Sequence, residues 1–231
     1  MKLLKYLEIV TDKSKNECLK LIKDKHIKVN GILITKEKTT IKEQKDEVLL
    51  DDQILIYEEF IYLMMNKRGG LVCATNDNFQ QTVFEDIKEF KNRDLRLVGR
   101  LDKDTEGLLL ITDDGDFIHH LTSPKHDIVK KYYVEFSGKY KDNVEECFLE
   151  GIVLDDGEKC LPATIEKIDD NKCYINIQEG KFHQVKRMCA ACGMKVEYLK
   201  RIKIGDLILD GNLEVGEYRK LTTEEILMLK K

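Results

Sequence analysis

Five carboxylates crowd into one short segment of this 231-residue chain, the sequence GRLDKDTEGLLLITDDG from Gly99 to Gly115. They are Asp102, Asp104, Glu106, Asp113 and Asp114. They stand between Arg100 and a run of aliphatic residues, where ionised groups are costly unless a metal, a cation or a reaction uses them. The segment is therefore the first candidate for a functional site.

Two kinds of chemistry fit the segment. Its carboxylates match positions 1, 3, 5 and 12 of a calcium-binding EF-hand loop, with Gly107 at position 6. The match fails at two of these positions in residue type, and the flanking sequences are typical of strands rather than helices. Alternatively, one carboxylate acts at a sugar anomeric carbon, and a nearby cation keeps it ionised. Composition alone does not choose that carboxylate, and a solvated turn is the remaining interpretation.

The elements before this segment form a small unit. Leucines at helical spacing from Leu3, and a capping box of Ser14 and Glu17, predict two short helices. The pair Asn30–Gly31 between apolar stretches predicts a hairpin, and VLLDDQILIY predicts two more strands. We expect this unit to end near residue 58.

The larger unit mixes strands and helices without strict βαβ alternation. Strands are predicted at IYLMMNK, LVCAT, LLLIT, KKYYVEF, KCYINIQ and LILD, and helices after Thr82 as far as Phe90, at VKRMCAAC and at EEILMLKK. The predicted fold class is therefore α+β. A small N-terminal ααβ domain, residues 1–58, is joined to a larger domain, residues 61–231, with a mixed or antiparallel sheet.

Composition is that of an ordinary globular protein, with 42% hydrophobic and 35% charged residues. No apolar run approaches the roughly 20 residues that span a bilayer. The N-terminal sequence becomes charged too early for a signal peptide, so we expect a cytoplasmic protein. Seven scattered cysteines indicate free thiols, and the lone CxxC pair of Cys189 and Cys192 is better explained by helix packing than by zinc.

Charge is distributed unevenly along the chain. The net charge is −4, yet residues 1–30 hold eight lysines against four acids, and residues 181–203 hold seven basic residues against one acid. Residues 142–158 hold seven acids and no Lys or Arg. Two basic patches on an acidic body are compatible with a polyanion bound at defined places, and charge alone indicates a solvated lysine-rich surface equally well.

Three motifs, in this order, carry a resemblance to a known family: GRLDKDTEGLLLITDDGDFIHHLTSP, KKYYV and EGKFHQVKRM. They closely resemble the signature of the pseudouridine synthases that act on ribosomal RNA. The first 58 residues resemble the small RNA-binding module also found in ribosomal protein S-four. Length and the short C-terminal end resemble the enzymes that modify one uridine of small-subunit ribosomal RNA. Large-subunit synthases of the family, and a non-catalytic rRNA-binding assembly factor, are the alternatives.

The resemblance implies a reaction and its residues. A uridine within RNA loses its N-glycosidic bond, the uracil turns, and carbon 5 joins the sugar, with no cofactor and no metal implied. Asp102 is implied as the catalytic carboxylate, which either attacks C1′ or takes a proton from C2′. Tyr132 is implied to stack on the uracil in a central cleft, and Lys186 to pair with Asp102. Arg187 is the alternative to Lys186, although on a helix it points about 100° away.

The resemblance also implies the RNA contacts. Arg100 is expected to help extrude the base or to hold a flanking phosphate, and Arg187 to contact RNA near the cleft. In the N-terminal module, Lys15, Lys20 and Lys28 are expected to contact phosphates, so that affinity falls steeply with salt. The expected partner is small-subunit ribosomal RNA or a partly assembled ribosomal subunit, bound by a monomer away from any membrane.

Overall fold

The computed structural model describes residues 1–230, so Lys231, the last residue of the predicted second domain, lies outside it. The chain divides into two compact units. The first comprises Met1–Ile61 and Ile87–Leu95, and the second comprises Tyr62–Asp86 and the chain from Arg96 onward. Residues 87–95 therefore group with the N-terminal unit, although they follow a segment of the other one.

The first unit packs two helices against a small antiparallel sheet. Its helices are α1 (Leu3–Thr11) and α2 (Lys15–Lys23), and its strands are β1 (Ile27–Val29), β2 (Ile32–Leu33), β3 (Val48–Leu50) and β4 (Gln53–Leu55), in the order β2-β1-β3-β4. The predicted capping box begins α2, since the Ser14 hydroxyl accepts from the Glu17 N–H and the Glu17 carboxylate accepts from the Ser14 N–H. Asn30 and Gly31 take positive φ, as the two-residue turn requires.

In the second unit, the described residues form one sheet of nine strands. The strands are β5 (Tyr62–Lys67), β6 (Arg96–Val98), β7 (Glu106–Thr112), β8 (Lys130–Gly138), β9 (Thr164–Asp169), β10 (Lys172–Ile177), β11 (Met194–Ile204), β12 (Leu207–Ile208) and β13 (Tyr218–Lys220). The main order is β13-β5-β7-β11-β8-β10-β9, with β6 beside β7 and β12 beside β11. Because β7 and β11 are parallel and the other pairs antiparallel, the sheet is mixed.

Four helices accompany this sheet in the described part of the unit. They are α3 (Gly115–Thr122), α4 (Val144–Glu150), α5 (Gln184–Ala191) and α6 (Thr223–Leu229). Residues of α3 and α6 pack on the apolar side chains of β5 and β7, in a core that contains Met64, Leu110, Phe117 and Leu229. The predicted α+β class is thus confirmed. None of the helices in residues 1–230 has the length and apolarity needed to cross a bilayer.

Strand β7 has neighbours on both edges. Strand β5 pairs with it from Gly107 to Thr112. On the other edge, β11 pairs with its first two residues and β6 with its last three. Gly107 has φ +98, and a Cβ there would lie 2.2 Å from the Arg201 carbonyl oxygen, so the contact with β11 requires glycine. The loop that joins β6 to β7, residues 99–105, carries Arg100 and Asp102.

Two local predictions are wrong. LVCAT is not a strand, because Val72 makes only an isolated bridge with Thr82. The helix predicted from Thr82 to Phe90 is reduced to a 3-10 turn, Val83–Asp86. The Glu85 N–H donates to the Thr82 carbonyl, three residues back, which is the 3-10 pattern, and Phe90 takes a left-handed φ of 63° that a helix does not allow.

Candidate active site

The loop of residues 99–105 between β6 and β7, the acidic loop, borders a cleft of about 560 Å³ in the second unit. Exposed side chains, among them Arg100 and Phe182, form its rim. At its floor, Tyr132 and Arg201 are only 7% and 2% exposed. The cleft therefore runs from a solvated, cationic rim to a buried floor, and Asp102 lies in its wall.

Helix α5 places a cation beside Asp102. The Lys186 Nζ lies 3.3 Å from Asp102 Oδ2 and 2.5 Å from Asp104 Oδ1. The His183 Nε2 lies 3.8 Å from Asp102 Oδ1. Partial burial is the largest single effect on Asp104 and raises its pKa, but the hydrogen bond and charge of Lys186, with smaller contributions from the loop backbone and His183, together hold that pKa below its usual value. The Lys186 ammonium thus favours the ionised form of Asp104 and lies beside Asp102 as well.

Arg187, the alternative partner of Asp102, points elsewhere. Its Nη2 lies 2.5 Å from Asp155 Oδ1 and 2.6 Å from Asp156 Oδ2. This pairing lowers the pKa of Asp156. The structure therefore brings Lys186, and not Arg187, to Asp102. A role of Arg187 in RNA contact stays a prediction.

Strand β8 places Tyr132 in the cleft. Its hydroxyl has no hydrogen-bond partner among residues 1–230, and Arg201 of β11 is its cross-strand neighbour. Tyr133 lies on the opposite face of the strand, where its hydroxyl donates to Glu135 and its ring contacts those of Tyr174 and Tyr198. Tyr132 is therefore the tyrosine of this pair that a ligand in the cleft can reach.

The remaining carboxylates of the segment have structural partners. Glu106 accepts hydrogen bonds from the Tyr198 hydroxyl and the Gly69 N–H, and Asp114 caps α3 by accepting from the Phe117 N–H. The calcium-loop alternative is wrong, because β7 extends over the seven residues Glu106–Thr112, roughly 20 Å, and so carries Asp113 away from the carboxylates that precede the strand. Within the described chain, no cluster of His, Cys, Asp or Glu could hold a metal ion.

The predicted lysines of the first unit lie at its surface. Lys15 and Lys20 are exposed on α2, and the Lys28 Nζ lies 3.6 Å from Asp52 Oδ1. A separate groove of about 610 Å³ lies in the same unit. It is lined by Leu19, Ile22, Lys23, Thr35, Lys36, Glu37 and Lys38. Three lysines of this groove, at positions 23, 36 and 38, were not singled out by the sequence patterns.

Comparison with known proteins decides the family. The RNA pseudouridylate synthase family matches residues 61–191, more than half of the chain, and the S4 domain matches residues 1–48. The chain belongs to the RNA pseudouridylate synthase family. Its S4 domain is an RNA-binding module. The matched residues of the synthase include the acidic loop, β8 and all of α5.

Full-length relatives agree with this family. The synthase is 40% identical to the ribosomal small subunit pseudouridine synthase A of Haemophilus influenzae, with both chains covered completely. It is 39% identical to the uncharacterized RNA pseudouridine synthase YtzG of Bacillus subtilis, over 94% of this chain and 92% of that one. A pseudouridylate synthase crystal structure, 39% identical, matches 99% of both chains with a TM-score of 0.71.

The synthase holds its acidic loop with a residue that the sequence patterns missed. Lys67, at the end of β5, is fully buried, and burial lowers its pKa. Its Nζ donates to the carbonyl oxygens of Arg68, Asp102, Lys103 and Thr105, at 2.8 to 3.2 Å. One ammonium thus ties the loop backbone from Asp102 to Thr105 to the end of β5. The sequence signal that could have indicated this role is a lysine at the end of an otherwise apolar strand.

The segment before α5 is held by a second buried residue of the synthase. Gln184, 4% exposed, donates to Glu179 and accepts from the Lys181 N–H. His183 takes a left-handed φ of 49°, which is uncommon for a residue other than glycine, and its ring stacks on Phe182 at 3.8 Å. These contacts set the position from which α5 directs Lys186 toward Asp102.

Proposed function

We propose that the synthase converts one uridine of small-subunit ribosomal RNA to pseudouridine, with Asp102, Tyr132 and Lys186 as its catalytic residues. The observation that carries the chemistry is the Lys186–Asp102 pair in a cleft that also contains Tyr132. The name of the Haemophilus influenzae relative, 40% identical over its whole length, supports the small subunit as the source of the RNA.

The reaction is an isomerisation, so it requires no oxidant and no second substrate. The C1′–N1 bond breaks and its electron pair stays on N1 of the uracil. After the base turns, C5 bonds to C1′, C5 loses a proton and N1 gains one. Asp102 serves either route at the sugar, attack on C1′ or removal of the C2′ proton, only while it is ionised. Lys186, whose Nζ lies 3.3 Å from Asp102 Oδ2, places a positive charge beside it.

RNA capture is assigned to an N-terminal domain of residues 1–58 and catalysis to residues 61–231. The exposed Arg100 makes no ion pair among the described residues and is available to a phosphate at the rim. Further phosphate contacts come from Lys15, Lys20 and Lys28. Arg187 also contacts RNA, after its ion pairs with Asp155 and Asp156 break. The substrate is free RNA or a partly assembled subunit, acted on in the cytoplasm by a monomer.

The experiment compares wild type, Asp102→Asn and the matched control Asp116→Asn, an exposed carboxylate in the same stretch of chain. Each purified protein is incubated with small-subunit rRNA, with large-subunit rRNA and with partly assembled small subunits. Pseudouridine is then mapped by carbodiimide labelling and primer extension. We expect one modified position in small-subunit RNA for wild type and Asp116→Asn, and none for Asp102→Asn.

Other outcomes identify the alternatives. Modification confined to large-subunit RNA would assign the synthase to the other subunit. If Asp102→Asn modified the RNA as wild type does, Asp102 would not be the catalytic carboxylate. If wild type and both variants bound small-subunit RNA and none of them modified it, the protein would instead be an assembly factor.

A further inference from the structure

Two cations occupy the inner part of the cleft without a carboxylate partner. They are Lys130 of β8 and Arg201 of β11, and both line the same cavity as Asp102. Elsewhere in the second unit, partly buried arginines have acidic partners, as Arg219 has in Asp210 and Glu225. Burial of two neighbouring cations with no neutralising carboxylate is energetically costly, which indicates that their charge has a function.

Arg201 is 2% exposed, yet its hydrogen bonding is incomplete. Its Nε donates to the Leu108 carbonyl oxygen at 2.8 Å. Its Nη2 is buried and has no partner among residues 1–230. A guanidinium carries five N–H donors and stays protonated, so this side chain brings a permanent and partly unsatisfied charge to the cleft floor.

Lys130 is similar. Its Nζ donates to the carbonyl oxygens of Ile128 at 3.1 Å and Gln178 at 3.4 Å, which leaves one of its three N–H groups without a partner in the described chain. Burial and the nearby charge of Arg201 both lower its pKa. Nothing in its immediate surroundings compensates the charge.

The sheet places both cations around Tyr132. Lys130 and Tyr132 are two residues apart in β8, so their side chains leave the same face of the strand. Arg201 is the cross-strand neighbour of Tyr132, so it shares that face as well. The three side chains therefore share one surface in the inner part of the cleft.

The negative charge expected at this depth is that of the base. A phosphate stays ionised and hydrated, and the exposed rim with Arg100 is its natural place. Cleavage of the C1′–N1 bond leaves an electron pair on N1 that spreads onto the O2 and O4 oxygens of uracil. Fixed cations in a site shielded from water stabilise such a developing charge far more than they would in solution.

We propose that Lys130 and Arg201 stabilise the negative charge of the detached uracil, so that they promote cleavage of the glycosidic bond. This rests on the proposed role of the cleft as the uridine site. The bonds change as described for the reaction: C1′–N1 breaks with its pair on N1, and the pair is used again when C5 bonds to C1′. Neither cation gains or loses a proton.

The test measures single-turnover rates and RNA affinity for Lys130→Met, Lys130→Arg and Arg201→Lys. The matched control is Lys131→Met, because Lys131 is the next residue of β8 and pairs with Glu166 on the other face. The substrate is whichever RNA wild type modifies, so a wrong assignment of the ribosomal subunit leaves this test intact. We expect Lys130→Met to lose about a hundredfold in rate at saturating RNA, with affinity changed less than about threefold. Lys130→Arg should recover part of the rate, and Lys131→Met should keep all of it.

A second readout varies the leaving group. With 2-thiouridine at the target position, sulfur disperses the negative charge of the detached base better than oxygen does. The rate defect of Lys130→Met should then shrink by at least threefold. A defect equal for both bases, or weaker RNA binding at an unchanged rate, would overturn the proposal, and the second result would assign the cations to a phosphate.

Thermal melting of every variant separates these effects from unfolding. Arg201 also holds the Leu108 carbonyl, so Arg201→Lys is expected to melt at a lower temperature. Within residues 1–230, Lys130 makes only two hydrogen bonds, both to carbonyl oxygens, so the rate of Lys130→Met decides the test.

Discussion

At the scale of single residues, Lys67 acts on Asp102 through the backbone of its loop. A buried ammonium is costly unless its donors are used, and here four backbone carbonyls surround it. Three of those carbonyls belong to the loop of Asp102 itself. Lys67 is thus a positioning residue, because it fixes the loop backbone. Lys186, in contrast, contacts the Asp102 carboxylate itself.

Replacement of Lys67 by methionine should weaken both stability and catalysis. The carbonyl oxygens that lose their donor are expected to lower the free energy of unfolding by about 2–4 kcal/mol. A shift of the loop by about 1 Å should reduce the rate at saturating RNA by roughly a hundredfold. Urea unfolding and single-turnover assays measure the two effects.

Lys159→Met, at an exposed lysine of the same unit, is the control and should change neither quantity. A Lys67→Met protein that melts early but keeps the wild-type rate at low temperature would show that the lysine supports only the fold.

At the scale of elements, sequence patterns succeed where the signal is local. The capping box of Ser14, the Asn30–Gly31 turn and the alternation of β8 each lie within a few residues, and each is present as predicted. Strand β13 has only three residues, and it exists because β5 offers an edge to pair with. No local pattern marks such a strand.

The same distinction applies to the site. The motif resemblance singles out Asp102, Tyr132 and Lys186, which the structure brings to one cleft or its border. Lys130 and Arg201 were not singled out, because their lack of carboxylate partners becomes visible only when two distant strands lie side by side. From composition alone, a buried lysine or arginine cannot be distinguished from one on the surface.

The parallel contact between β7 and β11 should be sensitive to one methyl group. In Gly107→Ala, the new Cβ would overlap the Arg201 carbonyl oxygen, and alanine would also have to hold φ near +98. We expect the free energy of unfolding to fall by roughly 3 kcal/mol, as β7 and β11 separate or strain. Denaturant unfolding measures this change.

Gly115→Ala is the matched control, since its Cβ would meet no atom within 4 Å and its φ is not positive. Equal stability of the two alanine variants would contradict the close packing of Gly107 against β11.

At the scale of the whole molecule, a chain of net charge −4 is proposed to bind a polyanion through localised lysines. Replacement of Lys15, Lys20 and Lys28 by methionine should weaken RNA binding and flatten its salt dependence. The slope of log Kd against log salt should decrease by about 2, from roughly 0.7 for each lost contact to single-stranded RNA. Filter binding across a salt series, in the Asp102→Asn background, provides the measurement.

A second triple variant, in which the three groove lysines are replaced by methionine, is compared with the first. If methionine at Lys23, Lys36 and Lys38 flattened the slope while the first triple variant did not, the phosphate contacts would belong to the groove. The rate at saturating RNA should be retained in both variants, because neither set of lysines lies in the catalytic unit.

The strand order also governs how the chain folds as it is synthesised. The Arg201 bond to Leu108 spans 93 residues, and the Asn66 bond to Leu213 spans 147. At about 5–20 residues per second, β7 leaves the ribosome on the order of 10 s before β11 can join it. During that interval, the edge of the apolar strand β7 that β11 later covers is exposed to other nascent chains. From this topology we expect chaperones to capture the incomplete second unit and refolding to be slow because it is limited by loop closure.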